Sequence, residues 1–258
     1  MSELRKPIVV MNWAMRQNKN QDAIQFSREL VEILKNSNQV EKVILPSMGT
    51  IHSVAEVTKE TNIKVGAQNI APIEHGEMSG EYSIESLIDI KGEFVEIGHW
   101  ERRLIFGETE ELINKKLLLT LNNNLTPILC VGEKEKTDDL EEVLSEIERQ
   151  LYNNLYQVKS EELENIVIAY TPYWTVGQTY ASNYPHVHEV VKGIRSRLNK
   201  YFNSSDIEKL RIIYGGSVSP ENTKLIIDNE DIDGVLVGRF GSEPSRYAEI
   251  VKIIESNK

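Results

Sequence analysis

The densest reactive chemistry in the chain lies in Phe94-Val95-Glu96-Ile97-Gly98-His99-Trp100-Glu101-Arg102-Arg103, followed shortly by Gly107-Glu108-Thr109-Glu110-Glu111. A run mixing apolar and β-favouring residues reads as a strand that ends at Gly98. His99, Glu101 and two arginines then crowd into the turn beyond it. Gly-Glu-Thr-Glu-Glu places carboxylates in the first turn of a helix, where the backbone dipole favours them. An imidazole and a carboxylate at the carboxyl end of a strand, ahead of a helix, stand where α/β proteins do their chemistry. A charge-rich surface turn accounts for any one of these residues, but less well for the whole cluster.

The elements that must hold this cluster alternate along the chain. Strand-like runs fall at Pro7–Met11, Lys42–Leu45, Ile63–Ala67, Phe94–Ile97, Pro127–Val131, Ile166–Ala169, Leu210–Ile213 and Gly234–Val237. Helix-like segments separate them. In 138–157, Leu140, Val143, Leu144, Ile147, Leu151 and Leu155 share one face at helical spacing, with Glu and Arg opposite. In 20–35 the stripe is Ala23, Phe26, Leu30, Ile33 and Leu34. Ser219-Pro220-Glu221 opens another helix with proline at its first position. Tyr247, Ile250, Val251 and Ile254 make the stripe of the last one. Eight βα units in 258 residues favour closure into a (β/α)8 barrel, a single domain spanning 1–258. The runner-up, an open doubly wound sheet, lacks its Gly-x-Gly-x-x-Gly turn, because Asn12-Trp13-Ala14-Met15 follows the first strand instead.

Composition bounds the function classes. The 40 acidic residues outnumber 29 basic ones, for a net charge of -11, which argues against nucleic acid as a partner. Cys130 is the single cysteine, so an internal disulfide is impossible and a reducing compartment fits. No apolar run approaches membrane-spanning length and the amino terminus has no apolar signal core. A cytoplasmic protein with no membrane partner, no metal and no cofactor is expected.

Taken together, the segments that follow the strands resemble the triosephosphate isomerase family over nearly the whole chain. They are Asn12-Trp13-x-Met15, Gly66-Ala67-Gln68-Asn69, Ile97-Gly98-His99-x-Glu101-Arg102-Arg103, Phe106-Gly107-Glu108-Thr109, Cys130-Val131-Gly132-Glu133, Tyr170-x-Pro172-x-Trp174-x-x-Gly177, Tyr214-Gly215-Gly216-Ser217-Val218 and Asp233-Gly234-x-Leu236-Val237-Gly238. The resemblance implies an aldose–ketose isomerisation of a small sugar phosphate through an enediolate, in the cytoplasm and as part of glycolysis. It also implies a neutral histidine that polarises the carbonyl, which is His99, flanked by the polar residues Asn12 and Glu101. The family's first-loop lysine position holds Ala14, and its sixth-loop carboxylate base position holds Thr171. A general base contributes about 10²–10⁴ in rate, and a charge-stabilising contact roughly 3–4 kcal/mol. The two losses need not add. Weak or absent turnover is therefore expected; His99 and Glu101 are candidate substitute bases, though nothing in the sequence shows either one poised for that role.

Other family positions concern phosphate and assembly. Gly177, Gly215, Gly216, Ser217 and Gly238 match the phosphate cradle, where bare backbone can approach oxygen closely. Arg239 replaces the second glycine of the eighth loop, adding a phosphate donor and resembling the tetrulose-phosphate branch of the family. Trp100 takes the place of the usual serine, and Thr179 that of a lid glycine, which alters the expected hinge. Cys130 and Glu133 read as packing and supporting residues. Without a lysine at 14, Glu101 has lost the salt partner that the resemblance implies, and a neighbouring arginine is an alternative partner. Loop 68–81, with Met78 near its tip, matches the family's dimerisation loop and implies a homodimer. Two readings follow: an isomerase of a triose or tetrulose phosphate with a weakened site, or a silent relative (an inactivated variant included) that binds a phosphorylated metabolite.

Overall fold

The strand runs carry apolar residues at successive positions because each strand is covered on both sides, by the barrel interior and by the surrounding helices. The computed structural model describes residues 5–175 and 184–258. Its strands are β1 (Ile8–Asn12), β2 (Glu41–Leu45), β3 (Ile63–Ala67), β4 (Phe94–Ile97), β5 (Thr126–Val131), β6 (Val167–Tyr170), β7 (Arg211–Tyr214) and β8 (Gly234–Val237). All pair in parallel and in chain order, and β8 returns to β1 with Ile8 opposite Gly234, which closes the barrel. Each strand lies within one residue of its expected ends, and the expected (β/α)8 TIM barrel is the fold.

Ile8, Val10, Val43, Leu45, Phe94, Ile128, Cys130, Val167, Ala169, Ile213 and Leu236 fill the interior. Alternate residues such as Val9, Ile44, Val95, Leu129 and Ile168 face the helices. In the helix Leu140–Asn154 the buried set includes Val143, Leu144, Ile147 and Leu151, as the spacing predicts. The stripe of Asn20–Leu34 is narrower than expected: Ala23, Phe26, Leu30 and Leu34 are buried, but Ile33 is 39% exposed. Helical rotation puts 33 at the edge of a face that 30 and 34 already fill. Pro220 does occupy the first turn of its helix, after Ser219, whose side chain joins a reciprocal cap with Asn222.

Among the extra elements added to the βα repeat, one bears on the site. After β4 a five-residue helix, Trp100–Leu104, precedes the longer helix Glu110–Asn122. Thr109 caps the longer one, its hydroxyl accepting from Leu112 N at 3.3 Å, with Glu110 and Glu111 in the first turn as the charge pattern implied. Gly98 sits at the break with φ +73°, and a side chain there would strike the Arg103 guanidinium. No helix among the described residues is long and apolar enough to cross a membrane.

Candidate active site

The strand ends converge on a mouth made of two joined cavities. One, of about 410 Å³, is lined by Gly215, Gly216, Ser217, Gly238 and Arg239 on its far side. The other, of about 330 Å³, is lined by Gln68, Asn69, Glu81, Glu96 and Arg102. Asn12, Ala14, His99 and Glu101 line both, and so mark where they meet. The structure thus brings together most of the residues singled out in the sequence. Gly177 and Thr179 lie outside the described residues.

His99 stands at the first turn of Trp100–Leu104, half-buried at the mouth. Burial pushes its imidazole down to about 4, since desolvation disfavours the cation. The ring is therefore neutral at physiological pH and is suited to polarise an oxygen rather than to form an ion pair. Its Nδ1 lies 3.5 Å from Glu101 Oε2, and Trp100 packs beside it with ring centroids 5.9 Å apart. The alternative pairing of Glu101 with an arginine is not found among the described residues. Arg102 binds Glu108 at 2.7 Å and Glu81 at 3.3 Å, and Arg103 binds Glu110 at 2.7 Å. Arg103 also donates to the carbonyls of Gly98 and Cys130, tying β4 to β5. Both guanidinium groups are already committed to positioning the turn.

The first loop is held without its lysine. Ala14 has φ +48°, an uncommon conformation for a residue with a side chain. Asn12 Oδ1 accepts from Ala14 N at 2.6 Å, and Gln68 Nε2 lies 2.9–3.0 Å from the carbonyl oxygens of Ala14, Leu45 and Pro46. The loop is thus fixed by its backbone and by Gln68, while position 14 presents only a methyl group to the mouth.

Thr171 is buried, and its hydroxyl lies 3.3 Å from the Ala169 carbonyl to which it donates. A side chain on Gly215 would run into that hydroxyl, and one on Gly216 into the Tyr214 ring. These two glycines answer to packing beneath the rim. At Gly238 an added methyl would meet nothing within 4 Å, so there, unlike at Gly215 and Gly216, the bare backbone opens toward the cavity. Arg239 is exposed and stacks on Phe240, its guanidinium 4.8 Å from the ring centre. The start of the sixth loop is anchored by Glu133, which accepts from Trp174 Nε1 at 2.8 Å and from the Tyr170 hydroxyl at 3.2 Å. Burial raises its carboxyl to about 7 despite those bonds. Glu133 is a supporting group, as its place in the sequence suggested.

One residue escaped the sequence reading. Glu96 points into the barrel between Asn12 and Cys130 and is only 1% exposed. Asn12 Nδ2 donates to its Oε2 in a short hydrogen bond, and the Cys130 thiol donates to Oε1 at 3.6 Å. No cation offsets its charge among these contacts, and burial raises its pKa to about 8 against the lowering effect of the thiol and the amide. The signal lay in Phe94-Val95-Glu96-Ile97: a strand covered on both faces has no ordinary use for a carboxylate.

Comparison with known proteins agrees with this arrangement. The family model described as triosephosphate isomerase matches residues 7–254. The chain is 35% identical over 255 residues to a probable triosephosphate isomerase 2 of Listeria monocytogenes serotype 4b, covering 99% of this chain and 100% of that protein. A triosephosphate isomerase of Geotalea uraniireducens is 36% identical, covering 98% of this chain and 100% of its own. One from Clostridium tetani is 39% identical, covering 96% of each. A closed eight-stranded barrel with these loop segments in register, matched end to end by such relatives, leaves one conclusion: the chain belongs to the triosephosphate isomerase family.

Proposed function

We propose that this protein binds a small sugar phosphate and shifts a proton between the carbons beside its carbonyl, with turnover below that expected of a site holding lysine at 14 and glutamate at 171. The observation that carries this reading is the neutral His99, which shares one mouth with the Gly215, Gly216, Ser217 and Gly238 rim. In this reading the rim takes the phosphate, with Gly177 and Arg239 as further contacts. His99 polarises the carbonyl, Asn12 and Glu101 flank the reacting carbons, and residues 1–258 act as one cytoplasmic domain. An imidazole that stays neutral donates a hydrogen bond to a forming enediolate without first having to give up a cation.

The same reading makes the protein a homodimer through loop 68–81. Met15 (84% exposed), Met48 and Phe106 (64% exposed) line the 330 Å³ cavity and give its rim an apolar surface that a partner's loop tip would cover. A silent phosphate-binding relative is the second reading, favoured by the methyl at Ala14 and the inward-turned hydroxyl of Thr171. Incubation with dihydroxyacetone phosphate and with erythrulose phosphates in deuterium oxide separates the two. Deuterium entering the substrate well above the buffer rate is expected. Ligand-induced thermal stabilisation without exchange would establish the silent relative instead.

A further inference from the structure

We propose that the barrel carries a second anion site, at the end opposite the mouth, for a compact anion made of two linked phosphate groups. A cavity of about 330 Å³ lies there, bordered by the amino ends of β2, β3 and β4. Five lysines line it: Lys6 ahead of β1, Lys42 on β2, Lys59 after the helix Ile51–Thr58, Lys64 on β3 and Lys91 ahead of β4. In a chain of net charge -11, so many ammonium groups around one cavity run against the overall balance. The carboxylates in the wall, Glu41 and Glu93, are already engaged. Lys64 holds Glu93 at 2.6 Å and Glu41 at 3.1 Å, and Glu41 also pairs with Arg211. Lys6, Lys59 and Lys91 form no ion pair among the described residues.

Lys42 separates this cavity from an ordinary lysine-rich surface. It is only 1% exposed, and its ammonium donates to the Ser37 carbonyl. An ammonium has three donors, and that carbonyl is the one acceptor in place among the described residues. No carboxylate there lies within ion-pair distance of it. Glu255, whose field does reach Lys42, instead accepts from the backbone amides of Asn38 and Gln39 at 3.1 and 3.2 Å. Lys6 is near enough to add repulsion. A buried cation without a counter-ion is destabilising, and a methionine would fill the same place without that cost. An anion in the cavity removes the cost. Lys59 taken singly has a simpler account, since a cation after a helix end answers the dipole. Lys42, inside a strand, has none.

The wall also indicates the ligand class. Lysine binds phosphate as a point charge that can be approached from several directions. Five ammonium groups against two carboxylates leave a surplus of three positive charges. One phosphate group carries about -1.5 to -2 near pH 7, so two linked groups match the surplus better than one. Free pyrophosphate and the diphosphate of a nucleotide share this chemistry.

The test is calorimetric titration of the full-length protein with inorganic pyrophosphate at low salt, repeated with ADP. The proposal does not depend on the isomerase reading, and the substituted residues lie away from the mouth. Lys59→Gln/Lys91→Gln is expected to weaken one pyrophosphate-binding step at least about tenfold, as loss of two contacts of about 0.7 kcal/mol each implies. Lys42→Met is expected to abolish the same step; should it fail to fold, the double variant still decides. Tighter binding of ADP than of pyrophosphate would assign the nucleotide as the source of the diphosphate, and weaker binding would assign the free anion. Pyrophosphate affinity unchanged in Lys59→Gln/Lys91→Gln would overturn the site. So would an equal loss in Lys115→Gln/Lys192→Gln, two lysines on helices outside the cavity, because the binding would then follow net charge alone.

Discussion

At the scale of single residues, burial disfavours the charged form of two groups at the strand ends. His99 is held neutral with a pKa near 4, and Glu96 is raised from 4.5 to about 8. For Glu96 the folded pKa exceeds the unfolded one, so between about pH 4.5 and 8 the folded protein binds the extra proton. Stability contributed by this group therefore falls as pH rises across that window, by about 1.4 kcal/mol per unit at most, and levels off above it. Glu96→Gln removes the dependence. Urea unfolding at pH 5 and pH 8 is expected to show the variant gaining on the parent by a few kcal/mol at the higher pH. A gap that does not change with pH would contradict the buried-acid description. His99 and Glu101 stood out in the sequence as a cluster after β4, while Asn12 and the glycine rim were singled out through the family resemblance; the structure places them around one mouth. Glu96 was not singled out: reading it as a site residue requires knowing that β4 is covered on both faces and that position 96 points inward beside Cys130.

At the scale of elements, the turn bearing His99 is fixed by a closed ring of polar contacts. Asn69 donates to Glu81 at 2.9 Å, Glu81 meets Arg102, Arg102 binds Glu108, Glu108 pairs with Lys116, and Lys116 donates back to Asn69 at 2.9 Å. The ring joins the base of loop 68–81, the helix Trp100–Leu104 and the helix Glu110–Asn122, which is why Glu101 keeps no arginine for itself. Sequence periodicity located the long helices but overextended one apolar stripe. Ile33 and Leu30 lie on the same helix, one at the edge and one fully buried. Leu30→Ala is expected to cost about 2–5 kcal/mol, and Ile33→Ala under about 1 kcal/mol. Equal losses in chemical denaturation would return Ile33 to the core.

At the scale of the whole molecule, the barrel was readable because eight apolar runs alternate with eight helical stripes at a length that closes. The strand ends differed by no more than a residue. The proposed assembly rests on the loop resemblance, to which the exposed Met15, Met48 and Phe106 at the 330 Å³ cavity and a 41% exposed Met78 on loop 68–81 add apolar surface on both sides of such a contact. If a partner's loop covers that rim, Met78→Asp places a charge in an apolar contact and is expected to yield monomers in sedimentation at concentrations where the parent is a dimer. An unchanged dimer would place the interface elsewhere.

Deuterium exchange into dihydroxyacetone phosphate, compared between the protein and His99→Gln, reports proton movement at the mouth most directly. With His99 neutral throughout, exchange is predicted to exceed the buffer rate and to fall by about 10²–10⁴ in His99→Gln. Exchange at the buffer rate, or a His99→Gln variant that exchanges as fast as the parent, would contradict a neutral imidazole as the group that polarises the carbonyl.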